Sequence, residues 1–282
     1  MRIALVQQHA GPDRAENLAR ALAAMDRAAE HGAGLVAFAE LALERFFPCR
    51  PDDAEAAGRA EPIPGPLADA IAARARDRSL VTVFNMYERG PDGRCFDSSP
   101  VFDADGALLG VTRMVHIADY EGFHEKAYYT PGDRGAAVYD TAVGRVGVAI
   151  CYDRHYPEYM RALGVAGARL VVIPQAGLEG EWPEGMFEAE VRTAAFQNGY
   201  FAALCNRVGV EGEGMRFAGE SFVADPWGRI LARGASGADD LVLADLDLAA
   251  CAEAPARLFW RNRRPELYGA WLGGGPEDQE ST

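Results

Sequence analysis

Three segments of the chain end a run of aliphatic residues on a reactive or charged group. Glu40 follows Leu35-Val36-Ala37-Phe38-Ala39, and Cys151 follows Val146-Gly147-Val148-Ala149-Ile150. Arg113 and Met114 come after Leu108-Leu109-Gly110-Val111. The ends of strands in an α/β sheet are where ligands gather. A thiol with a carboxylate in reach is the minimum for nucleophilic acyl chemistry, because the carboxylate takes the proton and the sulfur attacks. A helix opening just after Cys151 would bring backbone N–H groups and a partial positive charge, favouring thiolate and oxyanion alike. The backbone N–H of Tyr152 is then the natural oxyanion donor. Taken singly, a strand-end cysteine is more often a small core hydrophobe. The argument therefore needs the elements around these residues.

Arg2 to Gln7 reads as a buried strand, and Ala15 to His31 as a helix with Leu18, Leu22, Met25 and Ala29 on one face. Leu35 to Ala39 is the next strand, Gly65 to Arg78 a helix, and Leu80 to Tyr87 a single strand. Strands at Ser98–Phe102 and Ala107–Val111 flank the turn Asp103-Ala104-Asp105-Gly106. The second half reads as strands at Val138–Tyr139, Val146–Ile150, Leu170–Ile173, Tyr200–Cys205 and Leu241–Leu246. Helices fall at Tyr156–Val165 and Pro183–Gln197, and a hairpin turns at Asp225-Pro226-Trp227-Gly228. Aliphatic runs without period-2 alternation imply sheets covered on both faces. The pattern predicts one α/β domain over residues 1–272, with a flexible tail at 273–282 that is Gly-rich and then polar.

Bulk properties narrow the function. The 282 residues are 49% hydrophobic and 25% charged, with a formal net charge of −14. That charge argues against nucleic acid and against anionic membrane surfaces. Five cysteines without a CxxC pair fit a reducing compartment rather than a disulfide framework. No apolar run approaches a signal or transmembrane length, so the cytoplasm is expected. No His/Cys/Glu set has metal-ligand spacing and no phosphate-binding glycine loop is present, so neither metal nor cofactor is expected.

The ordered set of segments resembles the nitrilase superfamily of carbon–nitrogen hydrolases. Ala37-Phe38-Ala39-Glu40-Leu41 is similar to the segment carrying that family's general base. Gly147-Val148-Ala149-Ile150-Cys151-Tyr152-Asp153-Arg154, followed by Pro157-Glu158, is similar to its nucleophile segment. The stretch from Glu121 to Asp133 resembles the one supplying a second glutamate, which would be Glu125. The likeness continues through Asn206-Arg207-Val208-Gly209, the segment Gly219 to Gly228, and Arg263 to Tyr268, so it spans nearly the whole chain. It implies a four-layer α-β-β-α sandwich and hydrolysis of a small linear amide or N-carbamoyl compound through a cysteine acyl-enzyme. It also implies a homodimer or larger homo-oligomer.

The departure lies at Arg113-Met114-Val115-His116, where the family pattern is Arg-Lys-x-His. Met114 stands in the lysine position. A methionine offers no proton and no charge, so an oxyanion donor and the counter-charge for two glutamates are both missing. The chain's single lysine, Lys126, reads as an ordinary loop residue, and His116 as a structural histidine. Tyr152, Arg154 and His155 are candidates for binding substrate. Their order resembles N-carbamoyl amino acid amidohydrolases, in which an arginine holds a carboxylate, yet Arg154 could equally be salt-bridged to an acidic neighbour. The rivals to an enzyme are a non-catalytic relative that binds a ligand or partner, and a chain deliberately disarmed at position 114. Cys151 is expected to alkylate faster than the other four cysteines.

Overall fold

The computed structural model describes residues 1–272, and the tail expected at 273–282 lies outside the described residues. The first half supplies strands β1 (Arg2–Gln7), β2 (Leu35–Phe38), β3 (Val81–Val83), β4 (Met86–Arg89), β5 (Cys95–Phe102) and β6 (Leu108–Arg113). Helices α1 (Arg14–Glu30) and α2 (Pro66–Arg78) are interleaved with them. The second half supplies β7 (Val138–Thr141), β8 (Gly144–Val148), β9 (Leu170–Gln175), β10 (Phe201–Asn206), β11 (Phe222–Ala224), β12 (Ile230–Arg233) and β13 (Asp240–Asp245). Its helices are α3 (Pro157–Val165) and α4 (Met186–Asn198).

One sheet runs β13-β1-β2-β3-β5-β4, with β6 also paired to β5, and the other runs β12-β11-β10-β9-β8-β7. The parallel centres, β1-β2-β3 and β8-β9-β10, carry the near-continuous aliphatic runs that burial on both faces demands. The inner faces meet in one core, where Ile3, Leu5, Leu35 and Ala37 pack with Val146, Val148, Leu170 and Val172. Outside it, Ala4, Val6, Val36 and Phe38 pack on α1 and α2 through Ala21, Met25, Leu67 and Ile71. On the far side, Val171, Ile173 and Leu204 pack on α3 and α4 through Met160, Leu163 and Val191. The layers are α-β-β-α, as the resemblance implied.

Local chemistry accounts for the element ends. The Asp13 side chain accepts from the amides of Ala15 and Glu16, which fixes the start of α1. Ser79 closes α2 in a left-handed conformation. The strand expected over Leu80–Tyr87 is broken in two. Phe84 still bonds to Pro100, but the Asn85 side chain turns inward and accepts from Leu41 N–H at 2.6 Å. The helix read over Tyr156–Val165 is α3, starting at Pro157, and what opens directly after Ile150 is a separate 3₁₀ turn over Cys151–His155.

Candidate active site

Both strand-end residues lie where the two sheets face each other. Glu40 follows β2 and is fully buried. The Arg207 guanidinium holds its main chain, with Nη1 donating to the carbonyls of Glu40 and Leu41, each at 2.7 Å, and Nη2 donating to both Glu211 oxygens. Leu41 is in the left-handed region, at φ 45°. Cys151 follows the end of β8 at φ 43°, a conformation that costs a non-glycine residue free energy and often marks a functional turn. It is 5% exposed. Glu125 opens a one-turn 3₁₀ helix and is fully buried, with its Oε2 accepting from the amide of Ala118 at 3.1 Å.

These three residues, from well-separated parts of the chain, converge. A carboxylate oxygen of Glu40, one of Glu125 and the Cys151 sulfur lie within 4.8 Å of one another. That is also the only set of three or more His, Cys, Asp or Glu residues among the described residues with atoms placed to share a metal ion. Linear spacing did not reveal it, because each member comes from a different element.

Asp97 joins them from β5, unmarked by any sequence motif. It is fully buried, its Oδ1 accepts from Asn85 Nδ2 at 2.6 Å, and it lies against Glu40. It precedes the strand read over Ser98–Phe102, and only the structure extends β5 back over it. Tyr129 is buried beside the same acids, and its hydroxyl has no partner among the described residues.

The electrostatics follow from burial without an adjacent lysine. Burial, and then the charge of Glu125, push the Glu40 carboxyl up to about 8. Burial and the neighbouring acids raise Glu125 and Asp97 well above the usual carboxylate range. The Cys151 thiol is pushed well up by burial and then by Glu40 and Glu125, with Arg154 opposing. The thiolate bias expected from a helix start is therefore reversed.

Met114 stands just past the end of β6 and is 1% exposed, within the same inter-sheet core as Cys151. Lys126 is not a substitute cation. Its side chain is 65% exposed and its Nζ lies 3.9 Å from Asp119 at the surface. His116 is structural, with Nδ1 2.7 Å from Asp153 Oδ1 and its ring stacked on Tyr156. Asp153 also accepts from the amides of Val115 and His116, which ties the segment after Met114 to the Cys151 turn.

Arg154 is 4% exposed, hydrogen-bonded through Nη1, while its Nε and Nη2 have no hydrogen-bond partner among the described residues. Its Nη1 donates to Cys151 O at 3.0 Å and to Gln175 Oε1 at 2.7 Å, and its Nε is 3.4 Å from Glu190. His155 Nδ1 is 2.7 Å from the same glutamate. Tyr152 is half-buried and groups with Tyr120 and His155, both of which also contact Trp182. Tyr120 donates to Glu181 at 2.7 Å. This makes an aromatic and acidic rim.

Residues 2–256 match the carbon-nitrogen hydrolase family. The chain belongs to that family. The carbon-nitrogen hydrolases similar to it include the citrullinase of Francisella tularensis, 31% identical over 283 residues that cover 95% of this chain and 96% of the relative. The N-carbamoylputrescine amidase of Solanum lycopersicum is 30% identical, covering 94% and 93%. A variant of the amidase from Nesterenkonia sp. AN1 matches with a TM-score of 0.80 and 29% identity, covering 96% of this chain and 97% of that one. That structure shows covalent addition of the acetamide moiety of fluoroacetamide at the active site cysteine. Family and neighbours together support a cysteine-dependent amidase.

Proposed function

We propose that Cys151 is the nucleophile and Glu40 the general base in hydrolysis of a small linear amide or N-carbamoyl compound. The convergence of Glu40, Glu125 and Cys151 within 4.8 Å carries this reading. The Cys151 proton passes to Glu40 as the sulfur bonds to the substrate carbonyl carbon. The tetrahedral adduct collapses, and Glu40 returns the proton to the departing nitrogen. Water, deprotonated by Glu40, then attacks the thioester and regenerates the thiol. Glu125 positions the incoming group, and the Tyr152 N–H faces the developing oxyanion.

Met114 leaves this machinery without a cation, so turnover is slow rather than absent. Glu190 beside Arg154 and Glu181 at the rim favour a neutral or cationic substrate over a carboxylate. The protein works in the cytoplasm as one domain. It self-associates through the exposed edge of α3, where Val165 is 56% exposed next to Tyr268 and Leu272. Among the described residues no helix is long and apolar enough to cross a membrane. Intact-mass analysis after incubation with a panel of amides and N-carbamoyl amines tests the proposal. An acyl adduct should appear on Cys151 and vanish in Cys151→Ser; no adduct with any member of the panel favours a binding-only pocket.

A further inference from the structure

The pocket gathers four acidic groups, and the side-chain cations that act on Cys151 and Glu40 are the arginines Arg154 and Arg207 rather than a lysine inside it. Glu40, Asp97, Glu125 and Cys151 are all buried. The guanidiniums that act on Cys151 and Glu40, those of Arg154 and Arg207, are held by main-chain carbonyls, and the single lysine is at the surface. Hydrogen bonding among the described residues does not use up the acids either. Glu125 Oε1 and the Tyr129 hydroxyl are buried without a partner, and the Glu40 side chain hydrogen-bonds only to other acids, Cys151 and Asp97. Buried polar atoms are normally satisfied, so oxygens left unpartnered or bonded only to other acids around one thiol are suited to a positively charged ligand.

We infer that this pocket binds one divalent cation of the zinc class, with Cys151 Sγ, Glu40 and Glu125 as ligands and Asp97 as an outer carboxylate. A thiolate selects a borderline-soft ion such as Zn²⁺ over Mg²⁺ or Ca²⁺. Tetrahedral bonds of about 2.0–2.3 Å place ligand atoms roughly 3.3–3.8 Å apart. The three atoms already lie within 4.8 Å of one another, so side-chain rotation alone can close the shell. On binding, the S–H bond of Cys151 and the O–H bond of each protonated carboxyl break, and those protons leave to solvent while the ion takes up the exposed lone pairs. No redox partner is needed. The metal-bound pocket cannot attack a substrate, because the sulfur lone pair is held, so the ion and the acyl chemistry exclude each other.

The inference rests on the uncompensated acids, not on the amidase assignment, and its readout is not turnover. Chelator-treated full-length protein is titrated with ZnCl₂ by calorimetry in two buffers of different ionisation enthalpy, and with CoCl₂ by absorption spectroscopy. The expected result is one equivalent bound with proton release, and a sulfur-to-cobalt charge-transfer band that is lost in Cys151→Ser. Met114→Lys, which supplies an internal cation, should weaken Zn²⁺ binding by 10²-fold or more; thermal melting confirms that both variants fold. No uptake at millimolar metal overturns the inference, as does uptake that survives Cys151→Ser or is unaffected by Met114→Lys. An acyl adduct without metal uptake removes only this inference, and metal uptake without any adduct removes only the amidase assignment.

Discussion

The amide of Met114 donates to the carbonyl of Asp97 at 2.9 Å, so the uncharged residue and the extra carboxyl sit opposite each other at the end of the β5-β6 ladder. The site has thus one more acid than a thiol and two glutamates require, beside a side chain that cannot balance it. The electrostatic behaviour of the pocket turns on this pair.

Met114→Lys should raise amidase activity by 10²-fold or more. A restored donor to the oxyanion is worth about 2.7–4 kcal/mol in comparable acyl-transfer sites. The side chains are similar in length, and Met114 shares the inter-sheet core with Cys151, where Glu40, Glu125 and Asp97 are buried. Steady-state kcat/KM on the best substrate measures the gain. Lys126→Ala in the unaltered protein should change nothing, and a large loss there would move the catalytic cation to Lys126.

Activity should rise with pH through about 8, because Glu40 must lose its proton to act as base and burial holds it up to about 8. Stability should run the other way. The folded-state pKa of Glu40 lies above its unfolded value of 4.5, so its contribution is complete below about 4.5 and is lost as pH climbs through 8. Urea midpoints between pH 5 and 9 should fall with pH, and Met114→Lys should flatten that slope while shifting the activity limb to lower pH. A flat urea profile in the unaltered protein would show that Glu40 titrates normally.

Iodoacetamide at pH 7 should label Cys49 and Cys95 before Cys151. The first two are half-buried, whereas Cys151 is buried among acids that hold its thiol protonated. This reverses the order expected from a helix start, since the 3₁₀ turn lacks the aligned dipoles of a long helix. Peptide mapping over time gives the order, and Met114→Lys should speed Cys151 selectively.

Arg207→Ala should destabilise the protein by about 3–5 kcal/mol, as expected when one member of a buried ion pair is removed. It also frees the carbonyls of Glu40 and Leu41. A change below about 1 kcal/mol by urea unfolding would mean that the Glu40 turn is held by Asn85 alone.

Asp97→Asn should leave stability within about 1 kcal/mol, because burial and then Glu40 raise the carboxyl well above the usual carboxylate range and an amide can keep the bond from Asn85. Asp97→Ala leaves that Asn85 amide with only Ser99 and should cost about 1–3 kcal/mol. Equal losses in the two variants would show that Asp97 is ionised in the native pocket.

Glu40 and Cys151 were legible because each terminates an aliphatic strand, a signal written in consecutive residues. The layer order was legible for the same reason, since both parallel centres lack polar alternation. Glu125 emerged only through resemblance, because the one-turn helix that carries it has no periodicity of its own. Asn85 was invisible, for a polar residue inside a strand looks solvent-facing until a second sheet covers it, and Asp97 fell just before the strand read over Ser98–Phe102. The inward turn of Asn85 is also what split the strand read over Leu80–Tyr87.

The return of β13 to pair with β1 joins Arg2 to Asp245 and Gln7 to Asp240. Glu40 is carried by the sheet this closes, and Cys151 by the other. The pocket therefore does not exist in any N-terminal fragment emerging during synthesis, and the chain must be nearly complete before β13 can seal its first sheet. Such distant pairing makes folding slow. It also keeps a reactive thiol apart from its base until the barrier to assembly has been crossed, so a chain cut between the two sheets should be chemically silent.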